Sequence, residues 1–183
     1  MASQIFYIHG LGGGVKSATY IGLCKYFADV EILEYPSQTA TFSENFKLIC
    51  DKFYSKYKGG KFLLIGTSLG GFYSSKFAEE FAKNGGDLNN ISVLMINPAI
   101  NPYTVALGLD YPKELVDSYK EVEFSTLANI RKRVILALDD ELLDAKQTAS
   151  IFPSDCVLSF SRGGHSCWAS LESDIVNLVR CFL

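Results

Sequence analysis

The stretch Gly66-Thr67-Ser68-Leu69-Gly70 carries the clearest chemical signal in the chain. It follows the apolar run Lys61-Phe62-Leu63-Leu64-Ile65 and precedes residues of helical period, so the spacing predicts a strand, a tight turn and a helix. A serine nucleophile on such a turn has a strained backbone, and the flanking chains pass too close for side chains. Glycine two residues to either side meets both demands. The plain alternative is that Ser68 caps the helix. A hydroxyl nucleophile also needs a base to take its proton and an acid to orient that base, following in the chain order Ser, Asp or Glu, His. Asp139, Asp140, Glu141 and Asp144 crowd one stretch after Val134-Ile135-Leu136-Ala137-Leu138, and Ser161-Arg162-Gly163-Gly164 leads to His165. The residues alone leave the choice among the four carboxylates open. Backbone N–H groups of Leu69 and Leu11 are candidates to meet the negative oxygen that acyl transfer develops.

A second glycine cluster, Gly10-Leu11-Gly12-Gly13-Gly14-Val15-Lys16-Ser17, also lies between a strand and a helix. Neither phosphate-binding motif closes there. A dinucleotide fingerprint starting at Gly10 needs its last glycine where Val15 stands, although Glu34 ends the next strand where a ribose-binding acid would sit. A P-loop needs glycine directly before Lys16-Ser17, and Val15 occupies that place too. His9, the other histidine of the chain, adjoins Gly10; as an isolated imidazole it reads first as structural.

The elements that must hold these residues alternate between short apolar runs and helical periods, the signature of a parallel α/β sheet. Strands are predicted over 5–8, 30–33, 62–65, 92–96, 134–138 and 156–160. Phe46, Ile49, Cys50, Phe53 and Tyr57 recur at helical spacing behind a Thr41/Glu44 capping box. Tyr73, Phe77 and Phe81 stack four apart until Asn84-Gly85-Gly86, and Leu171, Ile175, Leu178, Val179 and Phe182 repeat the pattern at the end. The segment 99–132 breaks the alternation. It reads either as a cap or lid over the site or as a plain crossover with two short helices, and Tyr103, Val105, Leu107, Leu109 and Tyr111 offer it an apolar lining.

Composition narrows the function classes. The 183 residues are 48% hydrophobic and 20% charged with a net charge of −3, which suits one globular domain and makes nucleic acid and anionic membranes poor partners. No apolar run approaches a membrane span, and no signal peptide is readable. Five cysteines without a Cys-x-x-Cys pair point to buried, reduced thiols and a cytoplasmic location.

With these parts placed, the chain resembles the α/β-hydrolase superfamily, and more closely the small YqiA-type bacterial esterases, over nearly its whole length. The likeness rests on His9-Gly10-Leu11, Lys16-Ser17-Ala18, Tyr35-Pro36-Ser37, Gly66 to Gly71, Asn97-Pro98-Ala99 with Pro102, Asp140 to Asp144, and Gly163-Gly164-His165. Asp139 stands where the family's acid loop has glycine, and Gly164 where members often carry asparagine. The resemblance implies a three-layer α/β/α sandwich with Ser68 as nucleophile, Asp140 as acid and His165 as base. It implies hydrolysis of small-molecule carboxylic esters or thioesters; the short 99–132 segment suits short to medium acyl chains, and the serine mechanism needs no metal or organic cofactor. His9, Gly10, Asn97 and Tyr103 are expected to contact substrate. The rival reading is a non-catalytic small-ligand-binding protein on the same fold.

Overall fold

The computed structural model describes residues 4–107 and 111–183. Six strands, β1 (Gln4–Ile8), β2 (Val30–Ile32), β3 (Phe62–Thr67), β4 (Ile91–Ile96), β5 (Arg131–Ala137) and β6 (Val157–Phe160), form one sheet in the order β2-β1-β3-β4-β5-β6. Every pairing is parallel. Seven helices are described: α1 (Ala18–Tyr26), α2 (Phe42–Lys56), α3 (Leu69–Lys83), α4 (Pro102–Leu107), α5 (Lys113–Asp117), α6 (Ala145–Ser150) and α7 (Trp168–Phe182). The strand positions match those expected, with shifts of a few residues at the ends. Helix α6 and a 3-10 turn at Ser154–Cys156 were not foreseen, because both are too short to show a period.

The strands are apolar throughout because both faces are covered. Alternate residues enter opposite cores: Phe6, Ile8, Phe62 and Leu64 pack with Phe53, Phe72 and Phe77 of α2 and α3. Ile5, Tyr7, Leu63 and Ile65 pack with Leu23 of α1 and Trp168, Leu171 and Ile175 of α7. Phe53 anchors the first core, with ring centroids 4.5 Å from Phe77, 4.6 Å from Phe6 and 4.9 Å from Phe62. The capping box at Thr41 and Glu44 starts α2. Of the cysteines, Cys156 and Cys167 are buried, but Cys24 and Cys181 are exposed, so the expectation of buried thiols holds in part.

The sheet order reverses between β1 and β3, since the chain runs outward to β2 before returning to β1's other side. Loops leaving β1 and β3 therefore diverge to opposite faces, and a crevice opens at their C-terminal ends. The turn into α3 closes the bottom of that crevice at very short range. A Cβ on Gly70 would overlap the carbonyl oxygen of Ile8 and lie 2.7 Å from that of His9; one on Gly66 would overlap the Gly70 carbonyl and Ser74 Oγ. Backbone cannot yield as a flexible side chain can. Gly70→Ala is accordingly expected to cost about 3 kcal/mol or more through forced separation of α3 from β1. Urea denaturation of the purified variant checks this; an unfolding midpoint matching the wild type would remove close approach as the reason for glycine there.

Candidate active site

Ser68 sits between β3 and α3 at φ 53° and ψ −118°, a conformation a non-glycine residue adopts only under tertiary constraint. Its backbone is fixed on both sides: its N–H donates to Ile96 O at 3.0 Å, and its carbonyl accepts from Gly71 N at 2.9 Å and Ala99 N at 3.0 Å. The side chain makes no capping hydrogen bond to α3, which disposes of the helix-cap alternative. Instead Ser68 Oγ lies 2.9 Å from His165 Nε2.

The other ring nitrogen, Nδ1, is 2.9 Å from Asp140 Oδ2 and 3.1 Å from Oδ1. With Asp140 ionised, Nδ1–H donates and Nε2 presents its lone pair to the serine hydroxyl. The Asp140 side chain is only 2% exposed. Burial by itself raises its pKa, but donation from His165 Nδ1 and from the N–H groups of Leu142 and Leu143 more than offsets this and holds the carboxyl below the ordinary aspartate value. Oδ1 accepts those two N–H groups at 2.8 and 2.9 Å.

The remaining three carboxylates have different tasks. Asp144 caps α6, accepting from Lys146 N at 2.9 Å and Gln147 N at 3.0 Å. Asp139 Oδ1 accepts Gly164 N–H at 2.8 Å, and Glu141 Oε2 accepts His165 N–H at 2.9 Å. Three consecutive acidic residues thus bind one short segment, two at its backbone and one at its imidazole. From the opposite side Asn97, at the end of β4, donates Nδ2–H to the carbonyls of Gly164 and His165 at 3.0 Å each, while its Oδ1 accepts Ala137 N–H at 2.8 Å. Gly164 takes a left-handed φ of 66° that lets the segment turn between these partners.

The N–H of Leu69, first residue of α3, and that of Leu11, in the loop after β1, have no hydrogen-bond partner among the described residues. Both residues line a cavity of about 50 Å³ that reaches Ser68. Other N–H groups of the Leu11 loop are consumed internally: Gly12 N donates to Ser37 Oγ at 2.9 Å and Val15 N to Glu34 Oε1 at 3.3 Å. Glu34, the acid that a ribose-binding reading relies on, is thereby a loop anchor.

The model of the uncharacterised protein family UPF0227 matches residues 4–180. The chain belongs to that family. No curated protein matches it significantly. Among solved structures, this UPF0227 chain is similar to an Agrobacterium vitis S4 protein proposed to be a hydrolase, with TM-score 0.79, 13% identity, and 98% of this chain and 87% of that one covered. It is also similar to mouse alpha/beta hydrolase domain-containing protein 10, with TM-score 0.73, 12% identity and coverage of 100% and 92%. A variant of tomato methylketone synthase I complexed with beta-ketoheptanoate gives TM-score 0.69, 15% identity and coverage of 100% and 99%. The fold of the UPF0227 chain is that of the α/β hydrolases.

Three of the four residues expected to contact substrate stand elsewhere in the UPF0227 structure. His9 is 1% exposed, stacked on Tyr35 at 4.3 Å between centroids. Its Nδ1–H donates to Gly10 O at 2.7 Å and its Nε2 accepts Tyr35 N–H at 3.3 Å. Burial lowers its pKa, so the ring is held neutral, as a structural histidine. Asn97 is 2% exposed and spends its amide on backbone. Tyr103 packs against the α2/α3 core and lines neither cavity beside Ser68. Gly10 does lie at the serine, where a Cβ would meet Ser68 Cβ at 3.1 Å. Within the segment 99–132, Ala99, Val105 and Tyr111 line the small cavity, together with Leu115, Val116 and Tyr119. Leu109 and the side chain of Leu107 lie outside what the structure describes. Sequence reasoning missed the backbone roles of Asp139, Glu141 and Asn97. Only Asn97 carried a signal, as a residue tolerant of the left-handed φ of 42° found there.

Replacing Asn97 by Ala leaves the buried Ala137 N–H without its acceptor and frees the His165 segment from β4. The expected loss is about 2 to 4 kcal/mol of folding stability. Chemical denaturation measures it, and a change below about 0.5 kcal/mol would mean that Asn97 does not hold the segment.

Proposed function

We propose that the protein is a serine hydrolase acting on carboxylic esters or thioesters of short to medium acyl chain. The observation that carries this reading is the continuous hydrogen-bonded row from Ser68 Oγ through the His165 imidazole to a buried, ionised Asp140. A plain ligand-binding protein has no need to hold a serine hydroxyl on an acceptor nitrogen by a strained backbone.

In the proposed reaction Ser68 Oγ attacks the acyl carbon while its proton passes to His165 Nε2. Asp140 keeps the imidazole in the tautomer that can accept it and offsets the positive charge that results. The carbonyl oxygen, now negative, is met by the N–H groups of Leu11 and Leu69, the second aided by the positive end of the α3 dipole. His165 then returns the proton to the departing oxygen or sulfur as the bond to the acyl carbon breaks. Water activated by the same nitrogen releases the acid and restores Ser68. His9, neutral and locked beneath the loop, takes no part in proton transfer.

A fluorophosphonate probe should label Ser68 stoichiometrically, and Ser68→Ala should abolish labelling and lower ester turnover by several powers of ten. Asp140→Asn should reduce kcat about 10⁴-fold by reversing the tautomer, whereas Asp144→Asn should act on the stability of α6 alone. Folded wild-type protein that refuses the probe would favour a binding protein on this fold.

The small cavity is lined chiefly by Ala40, Leu69, Ala99, Val105, Leu115 and Val116, so it suits an acyl chain of a few carbons. Each buried CH₂ is worth about 0.8 kcal/mol, or roughly fourfold in kcat/KM. Along a p-nitrophenyl ester series kcat/KM is expected to rise over the first carbons and then level. Leu115→Phe should move the break to shorter chains and Leu115→Ala to longer ones. An uninterrupted rise, alike in both variants, would place the acyl chain elsewhere.

A further inference from the structure

Ser68 borders two cavities of contrasting chemistry. The smaller, of about 50 Å³, is apolar apart from Ser68 itself and three further hydroxyl-bearing residues, each with a protein partner. Ser37 Oγ accepts Gly12 N–H, the Tyr111 hydroxyl oxygen accepts from Gln38 Nε2, and the Tyr119 and Tyr73 hydroxyls pair with each other at 2.6 Å. The larger, of about 330 Å³, is of mixed character: Tyr7, Ser17, Thr19, Thr67 and Ser166 line it beside apolar residues such as Leu142, Leu143 and Trp168. Here the hydroxyls are loosely engaged. Tyr7 O–H donates to Thr67 Oγ1 at 3.3 Å and accepts from Ser17 Oγ at 3.4 Å, both long beside the usual O–H···O distance of about 2.7 to 2.8 Å. Thr19 is a further hydroxyl neighbour of Tyr7. Each hydroxyl can donate once and accept twice, so the wall keeps capacity for a ligand. Among the described lining residues none is Lys, Arg, Asp or Glu.

The two cavities take different halves of a substrate. Proton return requires the departing atom to lie beside His165 Nε2, and His165 lines the hydroxyl-walled cavity but not the apolar one. The Leu69 side lines only the apolar one. Resting on the hydrolase reading above, we propose that the substrate is an ester of a small apolar acid with a neutral, hydroxyl-bearing alcohol of the polyol type. The hydroxyl wall recognises the leaving group through Tyr7, Thr19 and Thr67. Burial pushes the Tyr7 phenol pKa up, so it stays a neutral donor and acceptor at working pH. A leaving group carrying phosphates would enter this cavity without a cation to meet it.

Glycerol monobutyrate and propyl butyrate present one acyl group on three-carbon alcohols that differ in two hydroxyls. After dividing kcat/KM by each ester's rate with hydroxide, the glyceryl ester is expected to lead by about tenfold or more, the worth of one or two neutral hydrogen bonds. Thr19→Val, which keeps the side chain's shape, and Tyr7→Phe should each shrink that lead severalfold, with circular dichroism reporting that the variants are folded. Comparable rates for the two esters overturn the proposal, as does a lead that both folded variants retain or faster cleavage of a butyryl thioester of phosphopantetheine. If fluorophosphonate still labels Ser68 in those cases, the hydrolase reading stands and only the leaving-group assignment falls; no labelling and no turnover of either ester overturns both.

Discussion

The close approach of α3 to the ends of β1 and β3 is the constraint on which the other features rest. Helix and strands touch backbone to backbone at Gly66 and Gly70, so the turn between them has no room to relax. Ser68 is held at positive φ as a consequence, and the carbonyl and N–H groups around it are fixed by Ile96, Gly71 and Ala99. The same compression places Leu69, whose N–H has no partner among the described residues, at the head of a 15-residue helix beside the cavity. Position, strain and an unpaired donor come from one packing event. The reversal of sheet order between β1 and β3 supplies the crevice above it, which is why the Leu11 loop arrives on the opposite lip.

The second half of the site depends on a different device. His165 belongs to a loop with two glycines at positive φ, which has little order of its own. It is fixed by hydrogen bonds to both sides of its backbone: Asp139 and Glu141 take the N–H groups, Asn97 donates to the carbonyls. Since Asn97 also accepts from Ala137, the ends of β4 and β5 and the loop after β6 are joined through one amide. The imidazole's reach to Ser68 is then set by the sheet rather than by the loop.

How much of this was legible in the sequence divides along a physical line. The strands, the turn at Ser68 and the place of His165 were readable because period and glycine spacing are local properties. Among Asp139, Asp140, Glu141 and Asp144 the residues left the acid open, since four neighbouring carboxylates differ only in where tertiary packing points them; the resemblance to known esterases supplied Asp140, and the geometry brings that residue alone to the imidazole. His9 and Asn97 were expected at the substrate. That expectation came with the resemblance rather than from the residues, and only the folded chain reveals that Tyr35 covers the one and three backbone groups absorb the other. The hydroxyl cluster gave no signal, because Tyr7 of β1, Ser17 and Thr19 at the start of α1, and Thr67 of β3 meet only in space.

The crowding of three carboxylates beside one imidazole raises the question of which of them acts by charge. Asp139 is exposed and the Asp140 side chain is not. The Asp139 carboxyl lies in water, where neighbouring solvent and salt screen its field, and its pKa is lowered first by the Gly164 N–H it accepts. Its contribution is therefore geometric. Asp140 is almost wholly covered, so its field reaches the ring with little screening, while the His165 Nδ1–H and two backbone N–H groups keep it ionised despite burial. In the proposed reaction one residue can then both orient His165 and balance the charge that proton transfer would place on it. The division explains how an acid loop with Asp139 in place of the glycine usual in the resembled family tolerates a third charge: the added carboxylate is spent on a backbone N–H in solvent, where it tightens the His165 segment and competes little with Asp140 for the imidazole.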